Sequence, residues 1–140
     1  EQRLVGRRAL DVGRDAAAIK AYLEKNNLSF TETKTGMWYS IADGGKGDKI
    51  KKGDIVRLAY TLTLLDGTLC YSSKKDGPKE FLVGQGGVES GLEEAVLMLR
   101  KGSKAKFIMP PHLAHGLVGD DNKIPARSTI IYDVEVMNVK

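Results

Sequence analysis

The stretch LAYTLTLLDGTLCYSS, Leu58–Ser73, decides the fold. With the preceding IVR it places Val56, Leu58, Tyr60, Leu62 and Leu64 at alternating positions, the pattern of a strand with one face on a core. Asp66-Gly67 supplies the residues of a hairpin turn, and TLCYSS is the return strand. That return strand sets Cys70 beside Tyr71, which raises the question whether the hairpin only closes a core or also walls a pocket.

Toward the C-terminus, KKDGPKE reads as a polar loop and EFLVG as a short strand ended by glycine. GLEEAVLMLRKG reads as a helix. Leu92, Ala95, Val96 and Leu99 form its apolar stripe, Glu93 and Glu94 suit its first turn, and Gly102 suits its C-terminal cap. AKFIMP is a strand stopped by Pro110-Pro111, HLAHG is one helical turn at most, and GDDNKIP is a loop. STIIYDVEVMNV is a long closing strand. The expected class is α+β: a bent antiparallel sheet of five or six strands on one short helix, with room between them for a shallow apolar pocket.

Toward the N-terminus, DAAAIKAYLEKNN predicts a helix capped by Asp15, with Ile19, Tyr22 and Leu23 on one face and Gly13 as an interruption. TKTGMWYSI predicts a turn and a short strand, Met37–Ile41, followed by a glycine- and lysine-rich connector, Asp43–Asp54. Residues 1–47 are therefore expected to be a helical extension and residues 48–140 the main domain. The narrow apolar face of the helix has to pack on that domain or on a second copy, so dimerisation through it is one expected arrangement.

The 140 residues are 41% hydrophobic, enough to bury a core without staples, and the net charge of +4 is mild. Lysines and acids are interspersed with no basic–aromatic run, which argues against a nucleic-acid partner. No apolar run approaches the ~20 residues that cross a bilayer. One cysteine allows no internal disulfide. The chain opens Glu1-Gln2 without Met, so a leader is expected ahead of it, and a lipid anchor there would be its one tie to a membrane.

No residue pattern points to covalent, metal or phosphate chemistry. His112 and His115 lack Cys or carboxylate partners at ligand spacing and read as a loop pair. Cys70 has no base beside it in the pattern and reads as a small buried strand residue. Gly84–Val88, GQGGV, lacks the ending of a phosphate loop and reads as a bend. Asp120-Asp121-Asn122 reads as a solvated loop tip. No metal and no cofactor is expected.

Three segments in this order, YTLTLLDGTLCYSS, FLVGQGGVESGLEEAVLMLRKGSKAKFIMPPHLAHG and IPARSTIIYDVEVMNV, resemble the FK506-binding-protein (FKBP) family of peptidyl-prolyl cis–trans isomerases over residues 48–140. The N-terminal part resembles the extension of bacterial cell-envelope members, which implies a periplasmic or outer-membrane location and, for some members, a lipoprotein. The resemblance implies a folding-assisting rotamase that needs no cofactor, acts on proline-containing polypeptides and binds macrolides weakly.

By the same resemblance, Tyr60, Tyr71 and His115 occupy the catalytic positions, and Cys70, Phe81, Val88, Glu89, Leu92, Ile124 and Tyr132 the substrate-binding ones. Val88 matches a pocket valine whose neighbour, Glu89, offers a backbone N–H. Leu92 stands at the pocket floor, Ile124 over its mouth, and Tyr132 in place of a phenylalanine. Cys70 and Tyr71 stand where the family has a phenylalanine and an aspartate that pairs with the tyrosine at position 60. His115 replaces a hydrogen-bonding tyrosine, and Lys79 lies near a rim aromatic. These departures imply a degenerate pocket with reduced activity, or a catalytically inactive chaperone or protein-binding module.

Overall fold

A computed structural model describes the backbone of residues 2–116, 119–120 and 122–140, with side chains from residue 13 onward. The hairpin of Leu58–Ser73 forms as β3 (Ile55–Leu64) and β4 (Leu69–Ser72). Gly67 holds the turn at φ 91°, and the Asp66 carboxylate accepts from the Thr68 N–H at 2.9 Å. The left-handed φ is one that only glycine adopts without a steric penalty.

β3 is the spine. Along one side it pairs with β7 (Ile130–Val139) from Val56↔Val139 to Leu64↔Ile130. Along the other it pairs with β4 at its far half and with β5 (Lys79–Leu82) at its near half. β6 (Lys104–Met109) continues the sheet beyond β7, and β2 (Trp38–Asp43) and β1 (Thr31–Glu32) follow it, all antiparallel. The sheet thus has seven strands, because β1 and β2 join the five contributed by the rest of the chain.

Strand alternation sorts the core onto two faces. Val56, Leu58, Leu62, Phe107, Met109, Ile130, Tyr132, Val134 and Val136 turn to one face and are buried against α3 (Ser90–Val96) through Leu92, Ala95 and Val96. Ile108 and Ile131 turn to the other face, where Ile19 and Leu23 of α1 (Gln2–Lys25) cover them with Trp38. Of the two expected partners for the apolar face of α1, the sheet takes it at Ile19 and Leu23.

Three local expectations change. α1 runs from Gln2 with no break at Gly13, so Asp15 lies inside the helix and not at its cap; packing of one face outweighs a single glycine. It ends at Lys25, where Asn27 takes a left-handed φ of 53° and the Leu28 N–H reaches the Leu23 carbonyl at 2.9 Å. α3 stops at Val96, short of Gly102, because the Met98 and Leu99 N–H groups bond the carbonyls of Ala95 and Val96 and tighten the chain. The polar loop after β4 winds one turn as α2 (Ser73–Asp76). Ser72 Oγ accepts from the Lys75 N–H and Asp76 returns to the Ser72 N–H at 3.0 Å, a reciprocal cap.

Gly91 sets how closely α3 approaches β6. A Cβ there would stand 2.7 Å from Met109 Sδ and 3.0 Å from the Leu113 carbonyl oxygen.

Removing the Ile19 side chain leaves a hole between α1 and the sheet. Ile19→Ala should lower unfolding stability by about 2–4 kcal/mol with the cooperative transition preserved. Deletion of residues 1–47 should cost more, since it also removes β2 from β6 and the fully buried Met37 from the main core. Urea unfolding of both variants measures the difference.

Candidate functional site

Between the sheet, the segment entering α3 and the loops after β6 lies a cavity of about 520 Å³, within the usual size for small-molecule and peptide sites. The hairpin walls it through Tyr60, Leu62 and Tyr71. Lys79 comes from β5, Gly87, Val88 and Glu89 from the bend before α3, and Tyr132 from β7. Ala114, His115 and Asp120 come from the loops after β6.

Local chemistry places each of these. β3 and β7 alternate, so Tyr60 and Tyr132 point to the same face from paired strands, their rings 5.9 Å apart and tilted at 56°. Glu89 stands at the N-terminus of α3, and its carbonyl accepts from the N–H groups of Leu92 and Glu93. A 3₁₀ turn, Pro111–Leu113, starts at the proline pair and carries the chain to His115.

Glu89 organises the polar side of the cavity. It is 9% exposed, and its Oε2 accepts the Tyr132 hydroxyl at 2.7 Å and faces His115 Nε2 at 3.1 Å. Burial, the Glu89 charge and the hydrogen bond to Glu89 together push the Tyr132 phenol far up, so it stays neutral and donates. Burial raises the Tyr60 phenol, with the charges of Asp76 and Glu89 adding to it. The Lys79 ammonium lies 5.3 Å from the centre of the Tyr60 ring, a cation–π contact.

A second acid closes the opposite wall. Asp120 accepts the Tyr71 hydroxyl, and its other oxygen accepts from the N–H groups of Asn122 at 3.0 Å and Ile124 at 2.7 Å. Burial works to raise its carboxyl, but the Tyr71 hydroxyl and the two backbone donors outweigh it and hold the group below the usual aspartate value. The same hydrogen bond raises the Tyr71 phenol. Gly119 makes the loop possible: at φ 71°, any Cβ would meet the Ile124 carbonyl oxygen at 2.3 Å.

The solvated loop tip expected at Asp120 is therefore corrected: Asp120 is half-buried and part of the lining, while Asp121 lies outside the described residues. The Asp-x-Asn spacing signals a turn that binds its own backbone, but nothing local says that the carboxylate meets Tyr71. Tyr71 does not leave the wall without an acid; it carries one from another loop. Among the described residues, nothing accepts from the Tyr60 hydroxyl.

The structure brings together Tyr60, Tyr71, Val88, Glu89, His115 and Tyr132, and adds Lys79 and Asp120. It does not bring Cys70, Phe81, Leu92 or Ile124 to the lining. Leu92 and Ile124 are buried in the core, and Phe81 packs half-buried against it. Cys70 is buried with its thiol 3.5 Å from the Lys123 carbonyl, and burial raises its pKa, which suits packing and not nucleophilic chemistry. His112 points away, bonding the Thr35 carbonyl at 2.8 Å. Among the described residues no cluster of His, Cys, Asp and Glu has the arrangement of a metal site.

With this geometry in view, comparison with known proteins is specific. A family profile described as FKBP-type peptidyl-prolyl cis-trans isomerase matches residues 46–137. The chain belongs to that family. A probable FKBP-type peptidyl-prolyl cis-trans isomerase of Haemophilus influenzae is 41% identical over 108 residues, 76% of this chain and 44% of the relative. The isomerase FkpA of Escherichia coli is 35% identical over 133 residues, 93% of this chain and 48% of the relative. The crystal structure of E. coli FkpA superimposes with a TM-score of 0.76 at 34% identity, covering 100% of this chain and 68% of that one. The chain thus spans about half the length of the curated relatives it matches.

Asp120 links acid to stability. A carboxyl held low in the folded state contributes stability above its unfolded value and loses it as the pH falls through the folded one. Stability of the native chain should therefore fall as the pH drops below about 4, and Asp120→Asn should be less stable near neutrality with a flatter acid limb. Urea midpoints across that range measure it.

Proposed function

We propose that this chain is a peptidyl-prolyl cis–trans isomerase of the bacterial cell envelope that assists the folding of proline-containing polypeptides, with a rate reduced by the polarity of its pocket. The observation that carries the reading is the single concavity in which Tyr60, Leu62, Val88, Ala114 and Tyr132 stand together, in a chain of this family. The envelope location is supported by the bacterial origin of the matched FkpA relative and by the N-terminal helix that this relative's alignment includes. Residues 48–140 form the isomerase unit in this proposal, and residues 1–47 an extension whose β2 extends the sheet.

The chemistry is differential binding. Rotation about an X–Pro bond meets a barrier of ~18–20 kcal/mol because it destroys amide resonance. The twisted amide is less polar than the planar one, so an enclosing apolar wall favours it, while donors at the rim hold the flanking carbonyls. Tyr60, Val88 and Tyr132 supply the wall, with no covalent step.

Glu89 and Asp120 work against this. They bring two carboxylates to the lining and occupy the hydroxyls of Tyr132 and Tyr71. A wall that is polar in part discriminates less between planar and twisted amides and suits a macrolide poorly. The same observation favours a second reading, a module that binds clients without turning them over.

Protease-coupled isomerisation of a short X–Pro peptide separates the two. The native chain should accelerate isomerisation measurably. The double variant Glu89→Leu/Tyr132→Phe should raise kcat/KM by about tenfold, the equivalent of 1.4 kcal/mol in the barrier. The single variant Glu89→Leu strands the buried Tyr132 hydroxyl and should lose about 1–3 kcal/mol of stability. No acceleration by folded native protein supports the binding module instead, and an active native chain with no gain in a folded double variant overturns the claim that pocket polarity slows the reaction.

A further inference from the structure

We propose that Glu89 is a positioning residue that fixes the tautomer of His115, so that His115 offers the pocket a hydrogen-bond donor only when protonated and the isomerase works faster in mild acid. The proposal rests on the isomerase reading above for its rate half and on geometry alone for its tautomer half.

The argument begins with what a prolyl substrate offers. Proline has no N–H, so the peptide units on either side of its ring present mainly carbonyl acceptors to the pocket. The pocket must answer with donors. Its side-chain donors are the hydroxyls of Tyr60, Tyr71 and Tyr132, the Lys79 ammonium and the ring of His115. Two hydroxyls are taken: Tyr132 donates its hydrogen bond to Glu89 and Tyr71 donates its own to Asp120.

His115 is taken in a way that depends on its charge. Its Nε2 lies 3.1 Å from the same Glu89 oxygen that accepts from Tyr132. A carboxylate accepts and does not donate, so the proton of a neutral ring sits on Nε2. Nδ1 is then a bare lone pair. Against a substrate carbonyl, a lone pair repels where a donor would bind. Protonation places a hydrogen on Nδ1 without disturbing the Nε2 contact, and a third donor joins Tyr60 and Lys79.

The charged groups around the ring set the balance. Glu89, at the start of α3, touches it. Tyr132 from β7 shares that carboxylate. Asp120 interacts with His115 by charge across the cavity and is itself bound by Tyr71 of β4. Lys79 of β5 stands over Tyr60 of β3 on the lining. The Lys123 ammonium lies 5.3 Å from the centre of the Tyr71 ring, beside Asp120.

Two measurements test this on the intact chain. Long-range proton–nitrogen spectra of the ring nitrogens report tautomer and protonation with no substrate present. The chain has two histidines, so His112→Gln assigns the signals. Neutral His115 should be the Nε2–H form, and in Glu89→Gln, whose amide can accept or donate, that preference should weaken.

Coupled isomerisation should then show kcat/KM rising roughly five- to tenfold, the worth of one net hydrogen bond, as the pH is lowered from about 8 to about 5, in step with the gain of the His115 proton seen in the spectra. His115→Gln, whose amide donates at every pH, should give a flat profile, and Glu89→Gln a shallower one. A neutral Nδ1–H tautomer overturns the proposal. So does an active enzyme whose kcat/KM stays level or falls as His115 gains its proton. A folded protein inactive at every pH overturns the isomerase reading and the rate half with it, and the spectra distinguish that case from a wrong tautomer.

Discussion

The ladder between Ile55–Leu64 and Ile130–Val139 is the constraint on which the rest of the molecule depends. It joins strands far apart in sequence, and its register decides which side chains meet on the inner face. Tyr60 opposite Val134 and Leu62 opposite Tyr132 place the two tyrosine rings side by side over the core. A slip of one residue would turn every one of these side chains to the opposite face. The buried rows of Val56, Leu58 and Leu62 against Ile130, Val134 and Val136 make such a slip costly, so core and site are held by one set of contacts.

The sheet is covered on both faces, with different consequences. On the inner face α3 is short, and its close seat on β6 through Gly91 leaves the cavity open at its N-terminal end. On the outer face α1 closes over Trp38, Ile108 and Ile131. The N-terminal segment thus contributes two strands and a second, smaller core, and none of its described residues lines the cavity.

Within the cavity, the tyrosine rings come from strands and the acids from the loops. The strands deliver Tyr60, Leu62, Tyr71 and Tyr132 with the Lys79 ammonium, and the bends add the apolar Val88 and Ala114. The bends before α3 and after β6 deliver Glu89, His115 and Asp120, each tied to a hydroxyl or to another member of the set. Each acid is satisfied by hydrogen bonds, which is the condition for keeping charge in a partly buried place. The hydrogen-bond donors that the cavity keeps free are therefore those that these acids do not take.

The strands from β2 onward, the hairpin turn and the α+β class were legible along the chain because they follow from period and turn residues, which act over a few positions, while β1 and the order of strands in the sheet were not. Tyr60, Val88 and Tyr132 were legible as wall residues through family resemblance. The hairpin's question also has its answer: Tyr71 walls the pocket, while Cys70 faces inward and only closes the core. That division, the withdrawal of Leu92 and Ile124 into the core, the joining of β2 to β6, and the meetings of Asp120 with Tyr71 and of Glu89 with both Tyr132 and His115 were decided only by tertiary structure. The three hydrogen bonds span 26 to 49 residues, and no local pattern encodes a hydrogen bond between groups that only the packed sheet and its loops bring within reach.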